Sequence, residues 1–139
     1  MMEFDTIIVG AGSAGSVLAD ELSIDKNRSI LVLEAGPNDN RFWIHVPLGY
    51  GKSFYDPKVN WTYHAEPDPG LNGRADYWPR GKVLGGSSSI NAMVYIRGHP
   101  EDYEDWRRSG NLGWGWNDVL PHFKAIEHNQ AGADNWRGQ

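Results

Sequence analysis

The feature that most constrains this chain is a glycine-rich turn set between two apolar runs near its start. Gly10-Ala11-Gly12-Ser13-Ala14-Gly15 follows Thr6-Ile7-Ile8-Val9 and leads into Ser16 to Ser23. Ala14, Val17, Leu18 and Leu22 recur there at helical spacing, so one face of a helix can lie on the preceding strand. The β-branched run Thr6–Val9 suits a parallel strand buried on both faces, and Ile30-Leu31-Val32-Leu33 a second one. Asp25-Lys26-Asn27-Arg28 is polar turn material between them. The pattern predicts a compact βαβ unit. Its glycines have the spacing G-x-G-x-x-G at the point where strand gives way to helix. Gly10 permits the tight turn, Gly12 lets a pyrophosphate approach the backbone, and Gly15 lets helix and strand pack closely. The free N–H groups of the helix's first turn, with the helix dipole behind them, suit phosphate. Glu34 ends the second strand, nineteen residues after Gly15. A carboxylate there accepts hydrogen bonds from both ribose hydroxyls of an adenosine. The same charge repels a 2′-phosphate, which argues against NADP. FAD and NAD share the adenosine diphosphate half, so this unit alone leaves both open.

Composition excludes several other chemistries. At 139 residues the chain is long enough for one modest domain. A net charge of -5 with scattered lysines and arginines offers no basic face for nucleic acid. There is no cysteine, so disulfides, thiolate zinc sites and cysteine nucleophiles are excluded. No apolar run reaches the ~18 residues needed to cross a bilayer. The leading segment Met1-Met2-Glu3-Phe4-Asp5 is acidic where a secretory signal is basic. The expected location is cytoplasmic, with peripheral attachment at the inner membrane left open. Seven tryptophans and seventeen glycines suggest long loops and close backbone approaches, as around a large planar ligand. The plainer account is that these aromatics fill a core and pin loops.

From Pro37 to Pro79 helical periodicity is absent, and prolines and glycines punctuate a long excursion of turns and short strands. An excursion of this length is usually functional. Asn60-Trp61-Thr62-Tyr63-His64-Ala65-Glu66 alternates and predicts a short strand, and Asp68-Pro69-Gly70 a turn. Arg80 to Tyr95 then carries Gly85-Gly86-Ser87-Ser88-Ser89 directly into apolar Ile90, Met93, Val94 and Ile96. A flexible linker has no reason to run into such a segment, so a second ligand-lining turn is expected. Pro100 opens a helix with Glu101 and Asp102 near its start, Arg107 and Arg108 near its end, and Gly110 as the stop. Asn117 is the expected cap of a last helix striped by Val119, Leu120, Phe123 and Ile126. His45, His64, His122 and His128 have neither metal-ligand spacing nor a carboxylate partner and read as structural or exposed. No metal site and no catalytic residue is assigned.

Gly10–Gly15 with Glu34-Ala35-Gly36, and Gly81-Lys82-x-Leu84-Gly85-Gly86-Ser87-Ser88-x-Ile90-Asn91, together resemble the glucose–methanol–choline (GMC) flavin oxidoreductases. Asn60-Trp61-x-Tyr63 and Arg97-Gly98-His99-Pro100-x-Asp102-Tyr103-x-x-Trp106 are similar to its choline dehydrogenase and FAD-linked alcohol dehydrogenase branch. The resemblance covers essentially the whole chain and favours FAD over NAD. It implies an α/β fold: a Rossmann-like FAD-binding βαβ unit with a long loop-rich extension, an incomplete doubly wound domain. Residues 1–36 would form the dinucleotide unit, 37–99 an extended FAD-lining region and 100–139 a helical scaffold, with the substrate domain absent. Gly10, Gly12, Ser13 and Gly15 would line the pyrophosphate, and Glu34 with Ala35 the adenosine side. Gly85, Gly86 and Ser87 would follow the pyrophosphate and ribityl chain, and Asn91 and Val94 the isoalloxazine ring. Where some members link FAD covalently through a histidine, this chain has Ile90, which implies non-covalent FAD. The implied reaction moves hydride from a small-molecule alcohol, choline-like or aliphatic, to FAD. In the family the base is a histidine from the C-terminal part of a much longer chain, so these residues alone are expected not to turn over an alcohol. The rivals are an NAD-binding module and a non-catalytic truncated remnant.

Overall fold

The computed structural model describes residues 2–139 and divides them into two compact units, 2–94 and 95–139. The first unit begins with β1 (Thr6–Val9), α1 (Ser13–Ser23) and β2 (Ile30–Leu33). β1 and β2 pair in parallel with Thr6 opposite Ile30 and Val9 opposite Leu33, and α1 is the crossover between them. Asp5 ties the start of the pair together, its carboxylate accepting from the Ser29 N–H at 2.8 Å and hydroxyl at 2.7 Å.

The strands are not buried on both faces as their composition predicts. Ile8 is buried, but Ile7 and Val9 are 56% and 83% exposed, and Val32 and Leu33 are also exposed. On α1, Val17 and Leu18 are exposed too. The reason is architectural. Among the described residues this sheet has only two strands, so the helix is the only layer its apolar side chains can meet.

The excursion after β2 contains two single helical turns, α2 (Phe42–His45) and α3 (Tyr50–Ser53), and a two-residue antiparallel pair, β3 (Tyr63–His64) with β4 (Tyr77–Trp78). The strand expected over Asn60–Glu66 is therefore shorter. Thr62 stands in its path with φ 51°, a left-handed conformation that breaks the ladder of a β-branched residue. Pro69–Leu71 is a 3-10 turn, capped by Asp68, whose carboxylate accepts from the Gly70 N–H at 2.7 Å. The core of this unit is small. Val59, Val83 and Ile90 are almost fully buried, with Ile44 packed against them.

The second unit pairs α4 (Pro100–Arg108) with α5 (Trp116–Ala125). α4 opens as the sequence predicts. Pro100 sits in its first turn, the Asp102 carboxylate accepts from the His99 N–H at 2.8 Å, and the His99 ring accepts from the Glu101 N–H at 3.3 Å. Gly110, two residues past its end at Arg108, has φ 99° and turns the chain away. α5 starts before the expected cap Asn117. Its N-cap is Gly115, whose N–H donates to Asp118 at 3.0 Å, because a carboxylate at the third helical position can fold back on the preceding turn. Pro121 lies inside this helix, and Ile126 at the end of the expected apolar stripe is 63% exposed. Tyr103 is the centre of the unit, with Trp106, Trp116 and Phe123 rings 5.4 to 5.8 Å away. Arg97 joins its two ends. It pairs with Glu127 at 2.5 Å, stacks on Phe123 and donates to the Trp136 carbonyl. No helix among the described residues is long and apolar enough to cross a membrane.

Candidate functional site

Three segments of the first unit cross at glycines. Gly10 has φ 96°, which turns the chain from β1 toward α1. A Cβ on Gly15 would collide with the Gly10 carbonyl, so only glycine lets α1 lie this close to the strand end. The second glycine turn comes in from the far end of the unit. Gly85 and Gly86 have φ 86° and 58°, the Gly85 N–H donates to the Ala11 carbonyl at 2.8 Å, and a Cβ on Gly86 would stand 2.8 Å from the Gly12 Cα. The third segment, after β2, is locked by Leu84 N–H donating to the Pro37 carbonyl at 2.9 Å. Its Gly36 has no room for a Cβ against the backbone of Lys82.

Glu34 fastens this crossing. One carboxylate oxygen accepts from the Ala11 N–H at 2.8 Å and the other from the Gly36 N–H at 2.9 Å. The side chain therefore shapes the glycine turn, and as a carboxylate it still has lone pairs for further donors.

Beside the crossing lies a cavity of about 620 Å³ lined by Gly10, Gly12, Ser13, Ala14, Gly15, Glu34, Ala35, Gly86 and Ser87, with Val9 and Leu33 at the strand ends. α1 has no side-chain cap, and the first helical bond in it runs from the Ser16 N–H to the Gly12 carbonyl at 2.9 Å. The N–H groups of Ser13, Ala14 and Gly15 precede that bond and have no helical acceptor. An uncapped helix start opening on a cavity is a donor set for phosphate oxygens, and the two facing glycine turns leave the backbone bare on either side.

Of the sequence-predicted site residues, eight line this cleft together: Gly10, Gly12, Ser13, Gly15, Glu34, Ala35, Gly86 and Ser87. Gly85 serves it from behind through its bond to Ala11. Asn91 lies apart, lining two smaller recesses, and its carboxamide oxygen accepts from the Met93 N–H at 2.8 Å. Val94 is 77% exposed. The cleft also contains residues that the sequence reading did not assign to it: Trp61, Tyr63, Arg80 and Gly81. Trp61 and Tyr63 stack with ring centres 5.9 Å apart, and the Lys82 ammonium lies 4.5 Å from the Trp61 ring. The available signal was the Asn60-Trp61-x-Tyr63 pattern inside an excursion too long to be idle. Asn60 organises that side. It is buried, donates to the Phe54 carbonyl, and accepts from the Thr62 and Arg80 N–H groups, each at 2.9 Å. None of the five histidines lines the cleft. Among the described residues no group of His, Asp and Glu is arranged to hold a metal ion.

The chain is 49% identical over 143 residues to mouse mitochondrial choline dehydrogenase, covering 98% of this chain and 24% of that protein. It is 54% identical over 127 residues to an alcohol dehydrogenase [acceptor] of Pseudomonas putida, covering 91% and 23% respectively. The crystal structure of pyridoxine 4-oxidase from Mesorbium loti superposes with a TM-score of 0.90 at 41% identity, over 99% of this chain and 27% of that one. The chain thus spans about a quarter of the length of the curated relatives it matches. Residues 4–137 match the family described as GMC oxidoreductase, and the chain belongs to that family.

Proposed function

We propose that the cleft holds FAD, and that this chain is the FAD-binding portion of an oxidoreductase acting on the CH–OH group of a small alcohol. The observation that carries the reading is the uncapped start of α1 opening with Glu34 and Gly86–Ser87 on one cavity of about 620 Å³. Gly10, Gly12, Ser13 and Gly15 would hold the pyrophosphate through backbone N–H groups. Glu34, with Ala35 beside it, would accept from the adenosine ribose while keeping its own two backbone bonds. Gly85, Gly86 and Ser87 would follow the pyrophosphate toward the flavin, with Asn91 and Val94 at the ring. FAD, when bound, supplies the hydride-accepting chemistry. The chain's part is to fix the dinucleotide and exclude water from its diphosphate. The division into a dinucleotide unit (1–36), a lining region (37–99) and a helical scaffold (100–139) belongs to this reading.

The names of the relatives support an alcohol substrate, choline-like or aliphatic. With no histidine in the cleft lining, the alcohol proton would pass to a group outside these residues. Non-covalent attachment is supported by Ile90, an inert side chain only 3% exposed, and by the absence of cysteine. The experiment is titration of the 139-residue chain with FAD and, separately, NAD, followed by acid precipitation of the flavin complex. Saturable FAD binding is expected, with the flavin released to the supernatant. Preference for NAD would overturn the assignment, and flavin retained in the pellet would overturn the non-covalent part.

A further inference from the structure

The cleft has one anionic and one cationic side chain in its lining, Glu34 and Arg80. Among the described residues six of the eight arginines are paired with a carboxylate, and of the other two Arg80 lines the cleft. Its position is nonetheless fixed. The Arg80 N–H donates to the buried Asn60 side chain and its carbonyl accepts from the Trp61 N–H, both at 2.9 Å. The guanidinium centre lies 5.1 Å from the Trp78 ring, and one of its nitrogens donates to the Pro79 carbonyl at 2.7 Å. That uses one of the five N–H donors of the fork. The neighbouring Gly81 has no room for a Cβ against Gly86, and its N–H donates to the Ser87 hydroxyl at 3.0 Å. The cation is therefore tethered beside the glycine turn that crosses Gly12. Arg80 and Ser87 also line a smaller, mostly apolar recess with Ile90, Asn91 and Ala92.

The other charges of the cleft leave a place for this cation. A diphosphate brings two negative charges to a site that already contains the Glu34 carboxylate. The start of α1 offsets only about half an elementary charge. Without Arg80 the lining would repel the ligand, and with it the balance turns attractive. We propose that Arg80 is the side-chain cation that binds the diphosphate of the dinucleotide, at the junction between the glycine turns and the apolar recess. The proposal rests on the dinucleotide reading given above. It assigns to Arg80 a charge-dependent part of the affinity that the backbone donors cannot supply.

Calorimetric titration of the full 139-residue chain with ADP and with adenosine tests this, at low and high salt. Arg80→Gln is expected to weaken ADP binding by about ten- to a hundredfold, the scale of hydrogen bonds to a charged group. Adenosine binding should stay within about twofold, since no phosphate is present to lose the contact. ADP affinity of the parent should fall with salt more steeply than that of the variant. Arg80→Met, which keeps the stem over Trp78, gives a second charge-free variant should the glutamine form fail to fold. Arg28→Gln, removing a cation that lies before β2 and outside the cleft lining, should leave ADP affinity unchanged. Equal ADP affinity and salt dependence in parent and charge-free variant would overturn the proposal, as would equal losses for ADP and adenosine. A parent that binds neither ligand would instead remove the dinucleotide reading itself.

Discussion

Glu34 illustrates how one side chain acquires two duties. From its position at the end of β2 a carboxylate is expected to meet a ribose, and in the fold its two oxygens already hold the N–H groups of Ala11 and Gly36. Removing it therefore loosens the glycine turn as well as the ligand. Glu34→Ala is expected to weaken FAD binding by ~1–3 kcal/mol, the scale for a hydrogen bond to a charged group. Amide exchange at Ala11 and Gly36 should speed up even without ligand. Glu34→Gln should also show faster exchange at one of the two amides, because its NH₂ replaces an acceptor with a donor. Unchanged exchange in both variants would confine Glu34 to the ligand.

At the scale of elements, the end of the second unit is held by charge-assisted bonds. Asp134 accepts from the Arg137 guanidinium at 2.7 Å and from the Trp136 and Arg137 N–H groups at 2.7 Å. The Arg137 side-chain bond, then the two backbone bonds, bring its carboxyl down from 3.8 to about 2. The Gly138 N–H is the largest cause holding Glu127 below its ordinary value, helped by Asn129 and Arg97. For a group whose folded pKa is depressed, the stabilisation is present in full above the unfolded value and is lost as pH falls through the folded one. The turn Asp134–Arg137 should accordingly stay closed down to about pH 3.8 and open progressively toward about pH 2. The Trp136 amide proton, followed by NMR through acid titration, should report that midpoint. Asp134→Asn should remove the titration while leaving α4 intact. A midpoint near 4 would show that neither the Arg137 side chain nor the two backbone N–H groups hold the carboxyl down.

For the whole molecule the notable property is how little of it is buried. Among the described residues the strongly buried apolar side chains are Ile8, Ala11, Val59, Val83, Ile90 and Tyr103, while Ile7, Val9 and Leu33 stand open on the two-stranded sheet. Exposed apolar strands with unpaired edges associate with one another. The 139-residue chain should therefore self-associate as concentration rises, as seen by light scattering. Ile7→Lys should reduce that association, and because Ile7 does not line the cleft, FAD affinity should persist. Association unchanged by this charge would point to another surface. Saturating FAD, at about 100 times its Kd, should add about 2.7 kcal/mol of stability to a chain with so small a core.

Local chemistry in the sequence was enough to define the first glycine turn, its strand–helix–strand setting, Glu34 and the second glycine pair. Each depends on a conformation or charge that few residues supply: φ above zero at Gly10, Gly85 and Gly86, and a backbone left bare of Cβ at Gly15. The start and stop of α4 were legible for the same reason, since proline, acids and glycine act within one helical turn. What only the tertiary structure decided depends on residues far apart in the chain. Burial of Thr6–Val9 failed because an apolar pattern states what a strand can bury against, not whether another layer is there to meet it. The partnership of Gly12 with Gly86 follows from the Gly85 N–H bonding the Ala11 carbonyl, and the arrival of Trp61, Tyr63 and Arg80 in the same cleft from Asn60 bonding Phe54, Thr62 and Arg80 at once. A single asparagine in a sequence carries no sign of such a hub, because its hydrogen bonds are chosen by the fold that buries it.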